Sequence, residues 1–207
     1  AFDAIDFAAY DLFILARKGA ADSFEPGIQD AATERFAGMD NAAKQQLART
    51  VTFGLPGAAQ TLSLDDVRDL LALYGDISAN QLRAHFIDFL DAVIPTAERL
   101  GLRLCCHPDD PPFPLLGLPR VVSTEADYRT LLDAVDSTAN GVTLCSGSLG
   151  VRADNDLPGM MQRLGDRVHF LHLRNVSTSG KELFCSFYED EHLAGNTDMV
   201  ALLAAVH

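Results

Sequence analysis

Three residues of metal-ligating type, His107, Cys145 and His172, recur along the second half of the chain. Each closes or nearly closes a short, mostly apolar run. Gly101–Cys106 leads directly into His107, Gly141–Cys145 ends on its cysteine, and Arg167–Leu173 carries His172 close to its end. The gaps between them are each about one βα unit, a strand plus a covering helix of roughly 30 residues. In α/β proteins chemistry collects at the carboxyl ends of parallel strands, where the loops converge. The spacing therefore predicts two imidazoles and a thiolate meeting on one face. That donor set suits Zn, Fe(II) or Mn(II) and argues against a magnesium or calcium cage.

Each residue also has a plainer reading. A strand-end histidine can simply bond to backbone, and an isolated cysteine is more often a small buried hydrophobe. His169 competes with His172, but strand alternation puts the two on opposite sides. His172 is preferred because it lies nearer the carboxyl end. Cys105 and Cys106 precede His107 within the strand and are expected to pack in the core. Asp109 and Asp110 either orient His107 or cap its loop. His85 is isolated and reads as a surface or packing residue.

The elements that must position these residues follow from pattern. From residue 101 the order is β-loop-α-β-loop-α-β, which implies parallel strands with right-handed crossovers. Thr124 and Asp127 form a capping-box start for a helix from Glu125 to about Val135. Asn140-Gly141 reads as a turn into the Cys145 strand. Asp156 can cap the next helix, with Pro158 in its first turn and Gly165 stopping it. Residues 177–180 read as a polar loop, and Glu189-Asp190-Glu191-His192 as an acidic patch. Upstream the pattern is helical: residues 1–18, one or two helices over 28–53 with Asp40 as a cap, a turn at Gly54–Gly57, a helix from about Ser63 to Tyr74, and another from Ser78 towards Leu100 that Pro95 should kink or interrupt.

Composition sets the outer limits. The 207 residues are 48% hydrophobic and 22% charged, ordinary values for a globular chain. The formal net charge of −13 repels phosphate backbones, so nucleic acid is an unsuitable partner. An anionic substrate would need local positive charge from arginine or a metal. The four cysteines show no CxxC motif, which fits a reducing compartment. No signal-like segment or long apolar run is visible, so a cytoplasmic protein without membrane association is expected. The chain starts Ala1-Phe2-Asp3 and stops at His207 inside an apolar helical pattern, and it reads as an internal piece of a longer protein or as the ordered part of one.

Four stretches together carry a family resemblance. They are His107-Pro108-Asp109-Asp110-Pro111-Pro112, Gly117-Leu118-Pro119-Arg120-Val121-Val122-Ser123-Thr124, Gly150-Val151-Arg152-Ala153-Asp154-Asn155-Asp156-Leu157 and His172-Leu173-Arg174. They resemble mannonate dehydratase, and the likeness runs through essentially all of the chain. The resemblance implies a metal-dependent hydro-lyase of hexuronate breakdown on a (β/α)8 TIM barrel of the xylose-isomerase-like type, incomplete in this chain. Residues 1–100 would be a mostly helical insertion and residues 101–207 the βα units with the metal site, in one domain. The implied reaction removes water from D-mannonate to give 2-keto-3-deoxy-D-gluconate, with Mn(II) or Fe(II) as cofactor and a homo-oligomer as the working state.

The resemblance places His107, Cys145 and His172 as metal ligands. Arg152 and Arg174 become candidates to grip the sugar-acid carboxylate, since guanidinium binds carboxylate through two parallel hydrogen bonds. Asn175 and His192 are weaker candidates for sugar hydroxyls. A fourth, aspartate ligand and a neighbouring histidine for proton transfer are implied beyond His207, so residues 1–207 alone are expected to be inactive and to bind metal weakly. The competing readings are a metal-dependent sugar isomerase of similar barrel type, whose sites lean on carboxylates, and a non-catalytic assembly partner.

Overall fold

The computed structural model describes residues 1–53 and 62–206. The expected turn at Gly54–Gly57 lies outside the described residues. The chain forms two compact units: one of Phe2–Ile77 with Leu115–Leu118, the other of Ser78–Pro114 and Pro119–His207 together with Ala1.

The first unit is helical. Helix α1 (Ala4–Ala9) starts at Asp3, whose carboxylate accepts the Ile5 and Asp6 amides, and continues into a wider π turn over Tyr10–Ile14. That turn buries Asp11, which Arg17 holds in a two-pronged ion pair. Helix α2 (Pro26–Ala37) follows, then α3 (Asn41–Phe53), where the Asp40 carboxylate accepts the Ala43 amide as the sequence predicts. Helix α4 (Leu64–Tyr74) opens on a Ser63–Asp66 capping box. Tyr10, Leu15 and Val67 form one apolar cluster of this unit, with Leu47, Val51 and Leu71 packed around them.

The second unit carries the sheet. Helix α5 (Ala79–Leu100) begins on a Ser78–Gln81 capping box and ends at Gly101, whose left-handed φ of 66° suits a residue without a Cβ. Strand β1 (Leu104–Cys106) follows, then α6 (Glu125–Ala134), β2 (Asn140–Cys145) and the short α7 (Ser146–Gly150). After these come α8 (Leu157–Leu164), β3 (Val168–His172), β4 (Asn175–Thr178), β5 (Phe187–Asp190) and α9 (Met199–Ala204). The order β1-β2-β3 is parallel throughout, and its register pairs Cys145 directly with His172. Leu90 and Ile94 of α5, Tyr128 and Leu131 of α6, Met160 and Leu164 of α8 and Leu202 of α9 pack with Val142 and Leu144 of β2 in one apolar core. The buried Tyr128 hydroxyl donates to the Thr143 carbonyl at 2.8 Å and ties α6 to the central strand.

Four expectations change. Pro95 does not interrupt α5, which runs through it unbroken. Both Pro95 and Asp91, the residue whose carbonyl loses its amide partner, are exposed, so water can replace the missing bond. Asn140-Gly141 is not a turn but the start of β2. The Asn140 side chain there donates to the carbonyls of Leu131 and Val135, and Gly141 leaves room for the His169 ring. Cys105 is exposed, because the strand turns only Leu104 and Cys106 towards the core. Residues 175–190 hold an antiparallel pair, β4 with β5, where the sequence suggested a polar loop and an acidic patch. Among the described residues, no helix is long and apolar enough to cross a membrane.

Candidate metal centre

The carboxyl ends of β1, β2 and β3 bring His107, Cys145 and His172 together. One ligand atom of each lies within 4.8 Å of the others. His107 follows β1 directly. Its Nδ1 stands 2.7 Å from the Pro108 carbonyl, which can only accept, so in the neutral ring Nδ1 carries the proton and Nε2 keeps a lone pair. That Nε2 is 3.2 Å from Nδ1 of His172. Cys145 ends β2 and is fully buried, and its Sγ is 3.4 Å from the same Nδ1.

The three side chains are held by their neighbours. Asp109 gathers the chain beyond the His107 loop: one carboxylate oxygen accepts the Val121 amide at 3.0 Å, the Val122 amide at 2.7 Å and the Ser123 hydroxyl at 3.0 Å. Of the two roles considered for Asp109, the loop clamp is the one the bonds display. Cys145 caps α7, and its sulfur faces the Ser148 amide at 3.4 Å and the Ser148 hydroxyl at 3.3 Å. Ser146 secures the end of β3. Its hydroxyl donates to the Arg174 carbonyl at 2.6 Å and accepts the Arg174 amide at 3.1 Å.

The donor set fits a divalent transition metal. Imidazole ligands at about 2.1 Å and a thiolate at about 2.3 Å from a tetrahedral ion would stand about 3.4 Å (N···N) and about 3.6 Å (N···S) apart. The two edges that meet at His172, 3.2 Å to His107 and 3.4 Å to Cys145, are close to those values, and all three donors lie within 4.8 Å of one another. Cys106 is no competitor: burial, with the Asp109 charge adding, pushes its thiol up to about 12, so it stays protonated at neutral pH.

The remaining sequence candidates sit differently. Arg174 joins the centre, but its guanidinium is already engaged by Asp110, by Glu189 at 2.9 Å and by the Ser148 hydroxyl at 3.1 Å. Burial alone would lower its pKa; the neighbouring Cys145, Asp110 and Glu189 outweigh that and the net shift is upward. Arg152 is paired in two-pronged fashion with Asp154, at 3.0 and 2.7 Å. Asn175 is buried and bonded wholly to backbone: its amide donates to the carbonyls of His192 and Thr197, and its oxygen accepts the amides of Val176 and Thr197. His192 is exposed, with Nε2 3.1 Å from the Leu173 carbonyl. His169 turns away from the cluster and bonds to the Thr138 carbonyl. The supporting serines 146 and 148 were not singled out by sequence reasoning; the small Ser-Gly-Ser run directly after Cys145 was the available signal.

Fold and donor cluster together define an α/β protein with a potential metal centre at the carboxyl ends of parallel strands. The family model described as D-mannonate dehydratase (UxuA) matches residues 4–207. The chain belongs to this family. It is 51% identical over 205 residues to mannonate dehydratase 1 of Agrobacterium fabrum, covering 99% of this chain and 51% of that protein. It is 49% identical over 203 residues to the mannonate dehydratase of Rhizobium meliloti, covering 98% and 50%. The crystal structure of mannonate dehydratase from Streptococcus suis serotype 2 superposes with a TM-score of 0.61 at 32% identity, over 73% of this chain and 42% of that one. The chain thus spans about half the length of the curated relatives it matches.

Proposed function

We propose that this chain is part of a metal-dependent hydro-lyase that removes water from D-mannonate to give 2-keto-3-deoxy-D-gluconate. In this reading His107, Cys145 and His172 hold Mn(II) or Fe(II), and β1–β3 with their helices are consecutive units of a (β/α)8 barrel. The observation that carries it is the convergence of two imidazoles and one sulfur within 4.8 Å, in a chain of the D-mannonate dehydratase family.

A divalent ion held by these residues would supply a Lewis acid for the negative charge that develops at the substrate carboxylate as the C2 proton leaves. The chain's own part is to hold the donors in place. The Pro108 carbonyl fixes the His107 tautomer, Ser148 faces the sulfur, and Ser146 secures the strand end that carries His172. Arg152 and Arg174 are each bound to carboxylates of this chain, so the ion is the better-placed cation for a sugar acid. The isomerase reading is weaker because a thiolate is a soft ligand and suits such carboxylate-based sites poorly.

The test is dehydration of D-mannonate, with product analysis, by the 207-residue chain and by a full-length relative, each with Mn(II) and with chelator. Metal-dependent formation of the keto-deoxy acid by the relative, lost when its counterparts of His107, Cys145 and His172 are replaced by alanine, is expected. Turnover that survives those replacements would overturn the assignment.

A further inference from the structure

We propose that Arg174 is a positioning residue that locks together the three strand ends bearing His107, Cys145 and His172. The proposal rests on the metal reading above and goes beyond it, because it replaces a substrate-gripping arginine with a structural one.

The argument is one of connectivity. Asp110 lies three residues beyond His107, Ser148 three beyond Cys145, and Arg174 two beyond His172. Arg174 Nη2 bonds both Asp110 and the Ser148 hydroxyl, so a single nitrogen joins the loop after β1 to the turn after β2. Nη1 reaches Glu189 at 2.9 Å and adds β5 to the same knot. The Arg174 backbone is anchored in turn by Ser146, through its amide and its carbonyl. Ser148 is fully buried and its hydroxyl is 3.3 Å from Cys145 Sγ, so the chain Asp110–Arg174–Ser148–Cys145 ends on a proposed ligand.

Gly147 makes this path possible. A Cβ added there would fall on Nε and Cγ of Arg174, so the arginine lies across a residue that has no side chain. A lysine could not replace it: an ammonium is a single point, whereas the planar guanidinium presents donors to several partners at once. A substrate carboxylate at Arg174 would be a third anion beside Asp110 and Glu189, and its arrival would break the links that hold the ligands.

The experiment is Co(II) titration of the purified full chain, reading affinity by calorimetry and the sulfur-to-cobalt absorption band. Wild type should bind with such a band. Arg174→Lys should weaken Co(II) binding about 10–100-fold, the usual effect of removing a residue that orients a ligand. Gly147→Ala, which keeps the arginine but displaces it, should do the same, and Ser148→Ala should shift the band. If Arg174→Lys does not fold, the Gly147 and Ser148 variants decide the matter. Wild-type affinity and an unchanged band in the folded variants would overturn the positioning role and leave the metal reading standing. Absence of any sulfur-to-cobalt band in wild type would overturn both.

Discussion

Nε2 of His107 and Nδ1 of His172 face each other across 3.2 Å, although one follows β1 and the other ends β3, strands separated in the sheet by β2. With Nδ1 of His107 donating to Pro108, a single proton on His172 could serve either His107 or Cys145 but not both. A cation satisfies all three donors at once. Mn(II) at about 100 times its dissociation constant is therefore expected to stabilise the folded chain by about 2.7 kcal/mol. His172→Ala should abolish that gain. Thermal unfolding with metal and with chelator checks it, and an identical midpoint in both conditions for wild type would exclude a bound ion.

Asp109 should matter for stability before it matters for chemistry. The amides of Val121 and Val122 and the hydroxyl of Ser123 all converge on one of its oxygens, and those three residues are buried. Asp109→Ala leaves three donors unpaired and is expected to cost about 3 kcal/mol, at the low end for that many orphaned groups. Asp109→Asn keeps an accepting oxygen and should cost about 1 kcal/mol. Urea unfolding of the two variants tests the order; equal losses would mean that the three bonds are not what the carboxylate contributes.

Local signals in the sequence carried most of the frame. The Thr124–Asp127 capping box, the Asp156 cap and the apolar runs ending at Cys145 and near His172 needed only nearest neighbours, and the helices and strands appear where those signals lie. The approach of His107, Cys145 and His172 was legible for the same reason, because each closes or directly follows its own strand. What stayed hidden depended on distant partners. Nothing in Asn140-Gly141 reveals that His169 will press against the glycine, and nothing in the polar run after Thr178 reveals that it returns as β5. The arginines show the same limit: in the sequence a guanidinium reads alike whether or not it will pair, as Arg152 does, with an aspartate two residues away.

Gly141 gives a sharp steric test. A Cβ there would overlap the His169 ring and lie 2.6 Å from the Arg167 carbonyl. The ring can swing away, but the carbonyl belongs to the backbone that leads into β3. Gly141→Ala should therefore destabilise the chain by about 1–3 kcal/mol, the range for overpacking. Combining it with His169→Ala should recover only part of the loss, since the carbonyl remains. Full recovery in the double variant, by urea unfolding, would show that the ring alone makes the glycine necessary.

His169 also predicts a pH effect. Its Nε2–H donates to the Thr138 carbonyl at 3.0 Å. Burial lowers its pKa from 6.5; the Thr138 bond opposes this, while the charges of Arg103 and Arg167 lower it further. The folded chain then takes up a proton at this ring less readily than the unfolded chain does. By linkage, the stability this group contributes is present in full above about pH 6.5 and is lost as pH falls through the lower, folded pKa. His169→Gln preserves a donor to Thr138 without a titrating ring. Between pH 7.5 and pH 5 wild type should lose more stability than His169→Gln, and carboxylates common to both chains cancel in the difference. Urea midpoints at the two pH values measure it, and a parallel decline of the two proteins would show that the fold does not favour the neutral ring.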